Sequence, residues 1–178
     1  MSGVLQTVCT VLSIFCGPKD VMVPIPQIPA YVGDLSSAQA RIDAVAAERL
    51  INAYRARNGL AGVKLNPTLT KIAQLQADAM AARDHMSHDL PGLGGLRNRL
   101  GAGGYRSVVA AENLGAGYRT LGAAFVGWRG SPAHRENLLL RDVTDLGIAL
   151  AHTPRGYYRV YWAMVVAAPQ AGPQMAGR

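Results

Sequence analysis

Two apolar runs close to the C-terminus constrain the fold of this chain more than any other feature. Residues 145–152 and 157–167 are rich in apolar side chains, and the Thr153-Pro154-Arg155-Gly156 segment between them is typical of a turn. Alternation in the second run places four large side chains on one face: Tyr158, Val160, Trp162 and Met164. We therefore predict a β-hairpin that closes the fold and whose faces are covered by other elements.

A helical pattern opens the globular part of the sequence at Ser36. Ser36 with Gln39 three residues later forms a capping box, and Asn58-Gly59 is a typical helix stop. Residues at helical spacing between them form one stripe: Ile42, Val45, Ala46, Arg49, Ala53 and Tyr54. The pattern predicts a first helix that begins at the capping box and packs through this stripe.

Several further elements lie between this helix and the hairpin. In chain order they are a helix from Asn66-Pro67 to about Arg83, a short helix over 93–100, a strand over 110–116, a helix capped by Thr120 and a helical turn capped by Ser131-Pro132. Helices that flank an antiparallel sheet are the natural packing for this order of elements. The fold class expected from the sequence is therefore α+β.

The chain of 178 residues is long enough for one full-sized core, and 49% of its residues are hydrophobic. We assign residues 36–168 to a single domain, since no internal repeat is visible. Residues 169–178 are rich in Gly, Pro and Gln and are expected to form a flexible tail.

Residues 1–17 form an apolar N-terminal segment, and residues 18–35 form a proline-rich linker that is expected to be extended. The run Val4–Cys16 has about the length of the hydrophobic region of a signal peptide and is too short to span a bilayer. It is atypical as a signal, because no Lys or Arg precedes it and because Ile14 and Phe15 stand where small residues belong. Two interpretations stay open: an export signal, or an arm that docks on a protein partner or a membrane surface.

The charge pattern argues against one class of partner. The formal net charge is +7, but the arginines are scattered and form neither a dense basic run nor a stripe interleaved with aromatic residues. No nucleic-acid partner is therefore expected, whereas weak attraction to acidic polymers such as envelope glycans, or to lipid headgroups, fits this charge. Both cysteines, Cys9 and Cys16, precede the presumed domain, so its core needs no disulfide.

Two histidines and a glutamate, each in a distinctive short sequence motif, are the main site candidates. They are His88 in His85-Met86-Ser87-His88-Asp89, Glu112 in Ala111-Glu112-Asn113-Leu114, and His134 in Ser131-Pro132-Ala133-His134. Two imidazoles and a carboxylate are the minimum set for a divalent metal site or a general acid–base pair. If the histidines bind zinc, Glu112 could deprotonate a bound water. Without a metal, Glu112 could hydrogen-bond both imidazoles and brace the cleft. The remaining histidines, His85 and His152, are expected to be solvated.

With motifs of this kind in this order, the sequence resembles the CAP superfamily, which comprises cysteine-rich secretory proteins, antigen 5 and pathogenesis-related 1 proteins. It is most similar to the compact, disulfide-free bacterial branch of that superfamily. The resemblance covers about Ala47 to Ala168. It rests on Ile51-Asn52-Ala53-Tyr54-Arg55, Asn58-Gly59-Leu60, Leu65-Asn66-Pro67-Thr68-Leu69, Met86-Ser87-His88, Gly103-Gly104-Tyr105, Glu112-Asn113-Leu114, Trp128 with Ser131-Pro132-Ala133-His134-Arg135, Gly147-Ile148-Ala149 and Tyr161-Trp162. The resemblance implies a three-layer α-β-α sandwich with a small antiparallel sheet between helices, and an extracellular or cell-envelope location.

The resemblance also implies that His88, Glu112 and His134 meet in a central cleft. In eukaryotic relatives this cleft holds two histidines and two glutamates, and some members bind zinc or another divalent ion through the histidines. Here Ser131 stands where the second glutamate belongs. The expected metal ligands are therefore His88 and His134, with Glu112 as the candidate catalytic residue and with Asn113 and Ser131 as cleft support.

Three functions stay open from the sequence. The first is a binding module whose cleft takes up a small ligand, lipid, glycan or peptide, together with zinc or another divalent cation if one is bound. The second is a metal-dependent hydrolase that uses Glu112 with His88 and His134. The third is a structural subunit of a larger extracellular or virion-type assembly that is anchored through residues 1–35.

Overall fold

The closing hairpin lies at the centre of a four-stranded sheet. The structure is a computed structural model that describes residue 26 and residues 28–171, so the predictions for 1–17, for half of the 18–35 segment and for most of the 169–178 segment lie outside it. The elements are α1 (Pro29–Val32), α2 (Ala44–Arg57), β1 (Lys64–Leu65), α3 (Pro67–Arg83), α4 (Leu96–Ala102), β2 (Ser107–Ala116), α5 (Leu121–Gly130), α6 (Pro132–Leu138), β3 (Asp145–His152) and β4 (Val160–Pro169).

The sheet has the strand order β1-β3-β4-β2. Strand β4 is antiparallel to both of its neighbours, whereas the two residues of β1 run parallel to the start of β3. The predicted hairpin is confirmed, but β4 begins at Val160 rather than at Tyr157, because Arg159 has a φ of 63° that no strand residue adopts. Strand β1 was not predicted, since two residues are too few to form a pattern.

Alternation along β4 divides the interior into two cores. Val160, Trp162, Met164 and Val166 face the core that α2 and α5 cover, and the residues between them face the core that α3 covers. The fold is therefore the expected three-layer α-β-α sandwich. On the α3 side the packing is close: a Cβ atom on Gly147 would lie 2.2 Å from the backbone carbon of Leu69.

The first long helix starts later than the sequence pattern predicts. Asp43 is its N-cap and accepts a hydrogen bond from the Ala46 amide at 2.9 Å. The capping-box prediction at Ser36 is wrong, because the Ser36 amide instead donates to the side chain of Asp34. The buried face is also rotated from the predicted stripe, since Val45 is 52% exposed. The residues on that face are Ala46, Ala47, Leu50, Ile51, Tyr54 and Arg55.

Three other predicted caps had different outcomes. Asn66 accepts hydrogen bonds from two amides at the start of α3, and Thr120 accepts one from Ala123 at the start of α5, so both caps are confirmed. Ser131 occupies the predicted cap position of α6 and Pro132 follows it, but the Ser131 side chain makes no capping hydrogen bond. Its backbone carbonyl, which accepts from the Arg135 amide at 2.8 Å, begins the helix instead.

Part of the segment predicted to be an extended linker is helical and packs on the domain. The helix α1 contacts α5, and Tyr31 within it is buried. Downstream, the Leu35 amide donates to the Arg119 carbonyl at 2.7 Å, and the Leu35 carbonyl accepts from His152 Nε2 at 2.6 Å. His152 is therefore half-buried rather than solvated as expected. In the part of the chain that the structure describes, no helix has both the length and the apolar character needed to cross a bilayer.

Candidate functional site

Three different layers of the fold carry the predicted site residues. His88 lies in the loop between α3 and α4, Glu112 lies in the middle of β2, and His134 is the third residue of α6. These elements meet at the outer edge of β2. His88 and His134 are close enough for the charge of one to affect the other.

Glu112 is buried and bound on both carboxylate oxygens. Its side chain is 2% exposed, and Arg99 donates to Oε2 through Nη1 at 2.6 Å and to Oε1 through Nη2 at 3.0 Å. His88 Nδ1 lies 2.8 Å from the same Oε1. This bidentate geometry is the strong form of an arginine–carboxylate pair. Glu112 therefore faces a permanent cation and an imidazole, rather than the open cleft.

Sequence reasoning missed Arg99, although it is the residue that contacts Glu112 most extensively. It lies on α4, and it is 2% exposed. The available signal was its position: Leu96, Arg99 and Leu100 share one helical face by their spacing of three and four residues. An arginine on an apolar stripe needs a buried partner. The scattered distribution of the arginines along the chain does not indicate this requirement.

Buried side chains hold the backbone of the loop that carries His88. Arg99 Nη2 donates to the His88 carbonyl at 3.2 Å, and Arg99 Nε donates to the Gly94 carbonyl at 3.3 Å. Gln76, which is fully buried on α3, donates from Nε2 to the Ser87 carbonyl at 2.5 Å. The position of His88 is therefore determined by its backbone contacts as well as by Glu112, even though its ring is 60% exposed.

Two asparagines join the helix that carries His134 to β2. Asn113 Nδ2 donates to the His134 carbonyl at 2.9 Å. Asn137 Nδ2 donates to the Glu112 carbonyl at 3.1 Å and to Asn113 Oδ1 at 2.9 Å. Asn113 thus lies beside the site as expected, and it holds α6 through the backbone rather than through the imidazole.

The two imidazoles differ in their electrostatic surroundings. Burial lowers the pKa of His134 below its ordinary value of 6.5, and the nearby His88 lowers this pKa further. His134 is therefore neutral at pH 7 and keeps a lone pair on one ring nitrogen. His88 directs Nδ1 to a carboxylate, which favours the tautomer with the proton on Nδ1 and the lone pair on Nε2.

These donors fit an open metal site rather than a closed one. Between residues 28 and 171, the structure contains no group of three or more His, Cys, Asp or Glu side chains that could hold a metal ion. Two neutral imidazoles are suitable zinc ligands, but a structural zinc site needs four protein ligands. A carboxylate that receives the second N–H of a ligating histidine is the usual support for such a ligand. Glu112 has this relation to His88.

Ser131 provides no substitute for the missing carboxylate. It stands at the junction of α5 and α6 and is only half-buried. Trp128, three residues earlier, is buried at the end of α5 and packs edge-on against Trp162 with ring centroids 6.4 Å apart. Both tryptophans are core residues. His85 is exposed as expected.

Comparison with known proteins identifies the domain that carries this cleft. The family described as "CAP: Cysteine-rich secretory protein family" matches residues 48–166, which contain every site residue described above. This chain belongs to the CAP family. The resemblance that the sequence motifs indicated is therefore confirmed, together with the α-β-α fold of the CAP domain.

Similar proteins include two from Bacillus subtilis (strain 168). The uncharacterized protein YkwD is 28% identical over 99 residues, and the uncharacterized membrane protein YlbC is 32% identical over 109 residues. A solved structure of an extracellular protein containing an SCP domain from Bacillus anthracis str. Ames has a TM-score of 0.62 and 29% identity, and the match covers 69% of this chain and 39% of that one. The B. subtilis matches cover 56% and 61% of this chain but only 38% and 31% of the relatives, so this chain spans about a third of their length.

Proposed function

We propose that this CAP domain acts in the extracellular space or cell envelope as a ligand-binding module whose cleft binds zinc or a similar divalent cation through His88 and His134. The location is supported by the B. anthracis relative, which is described as extracellular. The bound ligand, whether a small molecule, lipid, glycan or peptide, would approach the exposed ring of His88. Water or ligand atoms would complete the coordination of the metal.

The observation that carries this proposal is the contact between Glu112 and His88 Nδ1 at 2.8 Å. It directs Nε2 of His88 away from the carboxylate, and His134 beside it is neutral at pH 7 because burial and His88 lower its pKa. The lone pairs of two neighbouring neutral imidazoles can act as ligands of a divalent cation. In this proposal Arg99 fixes Glu112, and Glu112 orients His88.

This geometry favours an orienting role for Glu112 over the hydrolase hypothesis. A general base must reach the proton that it removes, and Glu112 already accepts two hydrogen bonds from Arg99 and contacts His88. The hypothesis of a structural subunit depends on residues 1–35, most of which lie outside the described residues, and it stays a prediction.

Zinc titration by calorimetry on metal-free protein tests the proposal. The wild type should release heat with one-site stoichiometry, and His88→Ala and His134→Ala should each abolish it. His85→Ala is the matched control, because His85 is exposed and lies three residues from His88. Glu112→Gln should lower zinc affinity by about 10- to 100-fold, the usual effect of losing a carboxylate behind a histidine ligand. Absence of heat in the wild type, or equal loss in His85→Ala, would refute the metal site.

A further inference from the structure

The turn between β3 and β4 presents two aromatic rings to solvent. Tyr157 is 86% exposed and Tyr158 is 44% exposed. Their rings form an edge-to-face pair with centroids 4.9 Å apart, and Tyr158 packs in the same way against Tyr161. Tyrosine side chains are usually of intermediate burial, so the exposure of Tyr157 is high. The proposed metal cleft does not use either tyrosine.

The turn is fixed on the end of α3. Asp84 has a left-handed backbone with a φ of 47°, and its carboxylate accepts from the Tyr157 amide at 3.0 Å and from the Tyr161 hydroxyl at 2.6 Å. Gly156 approaches this carboxylate so closely that a Cβ atom would lie 2.2 Å from Asp84 Oδ1. The backbone that carries the tyrosine pair is therefore held in place before any ligand arrives, which reduces the entropy lost on binding.

Arg159 ends the turn with a strained backbone. Its φ of 63° lies in the region that favours glycine, and the Arg159 carbonyl accepts from the Thr153 amide at 2.9 Å. A residue other than glycine in this conformation raises the free energy of the fold, and such strained residues cluster at functional sites. The side chain of Arg159 is exposed and lines a cleft beside the tyrosines.

This cleft has a volume of about 380 Å³ and lies between the β3–β4 turn and the segment that precedes α5. Gly117 and Arg119 form the second wall, opposite Tyr158 and Arg159. The charge of Arg119 is offset by an ion pair with Asp34. Among residues 28–171 no ion pair involves Arg159, so the cleft holds one uncompensated positive charge beside an aromatic surface.

We propose that this cleft binds a glycan whose sugar units carry carboxylate groups. Arginine matches a carboxylate with two parallel hydrogen bonds, and an exposed tyrosine offers an apolar ring face together with a polar hydroxyl, which suits a sugar ring. A lipid surface fits less well, because residues 153–159 contain no Trp, Phe, Leu or Ile to enter the acyl region. The glycan site shares no residue with the His88–His134 pair.

Calorimetric titration of the full chain with tetragalacturonate tests the glycan site, with maltotetraose as the uncharged control. The wild type should bind the acidic tetramer and not the neutral one. Arg159→Gly and Tyr157→Ser should each weaken binding about tenfold, the scale of one lost charge-assisted contact. Arg159→Gly should fold well because glycine accepts the positive φ. Arg141→Gly, which removes an exposed arginine elsewhere, should bind like the wild type.

Three outcomes would overturn the proposal. One is the absence of heat with tetragalacturonate and the wild type. Another is an equal loss of affinity in Arg141→Gly and Arg159→Gly, which would indicate diffuse attraction to the +7 chain. The third is binding to phosphatidylglycerol vesicles that Arg159→Gly abolishes while tetragalacturonate gives no heat, which would assign the turn to a lipid surface. Thermal unfolding of each variant verifies that the fold persists.

Discussion

Replacement of Arg99 by methionine should destabilise the domain far more than the loss of a surface arginine would. The guanidinium is 1% exposed and its partner carboxylate is 2% exposed, so solvent screens neither charge. Removal of Arg99 leaves Glu112 buried, with the solvent-exposed His88 ring as its remaining side-chain partner. An uncompensated buried charge of this kind costs about 3–5 kcal/mol.

This cost is a large part of the ~5–15 kcal/mol that stabilises a typical domain. Arg99 also donates to the His88 and Gly94 carbonyls, so the variant loses two more contacts that hold the loop. Most of the cost should nevertheless come from the charge.

Urea denaturation at pH 7, followed by circular dichroism, measures the effect. Arg99→Met should lower the free energy of unfolding by about 3–5 kcal/mol, whereas the exposed neighbour Arg97 should tolerate the same change within about 0.5 kcal/mol. The double variant Arg99→Met with Glu112→Met should recover at least half of the loss. If the double variant is no more stable than Arg99→Met alone, or if Arg99→Met costs less than about 1 kcal/mol, the reasoning is wrong.

Three further predictions concern other parts of the fold. Gly147→Ala should cost about 3 kcal/mol in urea denaturation, because its Cβ would overlap the backbone of α3, whereas Gly101→Ala has open space and should be neutral or stabilising. NMR titration should give His134 a pKa below 6.5, and His88→Gln should raise that pKa only partly because burial is the larger cause. Since the unfolded chain then binds the proton more readily than the folded one, the contribution of His134 makes the protein less stable as the pH falls below 6.5. Hydrogen bonds from Tyr161 and Tyr157 lower the pKa of Asp84 below 3.8, so its stabilising contribution should be lost as the pH falls below that value, and Asp84→Asn should remove this part of the acid-unfolding profile.

The local signals that predicted the fold correctly are those with one simple cause. Asn66 followed by Pro67 starts a helix because the Asn66 side chain accepts hydrogen bonds from backbone amides of the first turn, and because proline has no backbone N–H that would need a partner. No distant contact alters this. The apolar runs of β3 and β4 are long enough to read as strands. The capping box at Ser36 failed because the helix begins seven residues later, where the Asp43 carboxylate accepts from the Ala46 amide. Competition between two good caps is decided by packing, which the local sequence does not show.

The sequence indicated candidate site residues but not the contacts between them. His88 contacts Glu112 and lies near His134. Neither the distances between these residues nor the contact of Arg99 with both oxygens of Glu112 could be predicted. An ion pair across 13 residues depends on the angle between α4 and β2, which is a tertiary property. Whether the cleft binds a metal stays a prediction.

The asparagine and tryptophan contacts on β2 also affect how the domain behaves among other copies of itself. The strand lies at one end of the sheet order, so its outward carbonyls could template the pairing of a foreign strand. Asn137 occupies the Glu112 carbonyl, and the Trp128 indole donates to the Leu114 carbonyl at 2.8 Å. The side chains that hold α5 and α6 beside the cleft thus take the hydrogen bonds that a neighbouring strand would need. Loss of these hydrogen bonds would expose the edge of β2 to pairing with another chain, and it would disturb the neighbouring histidines as well.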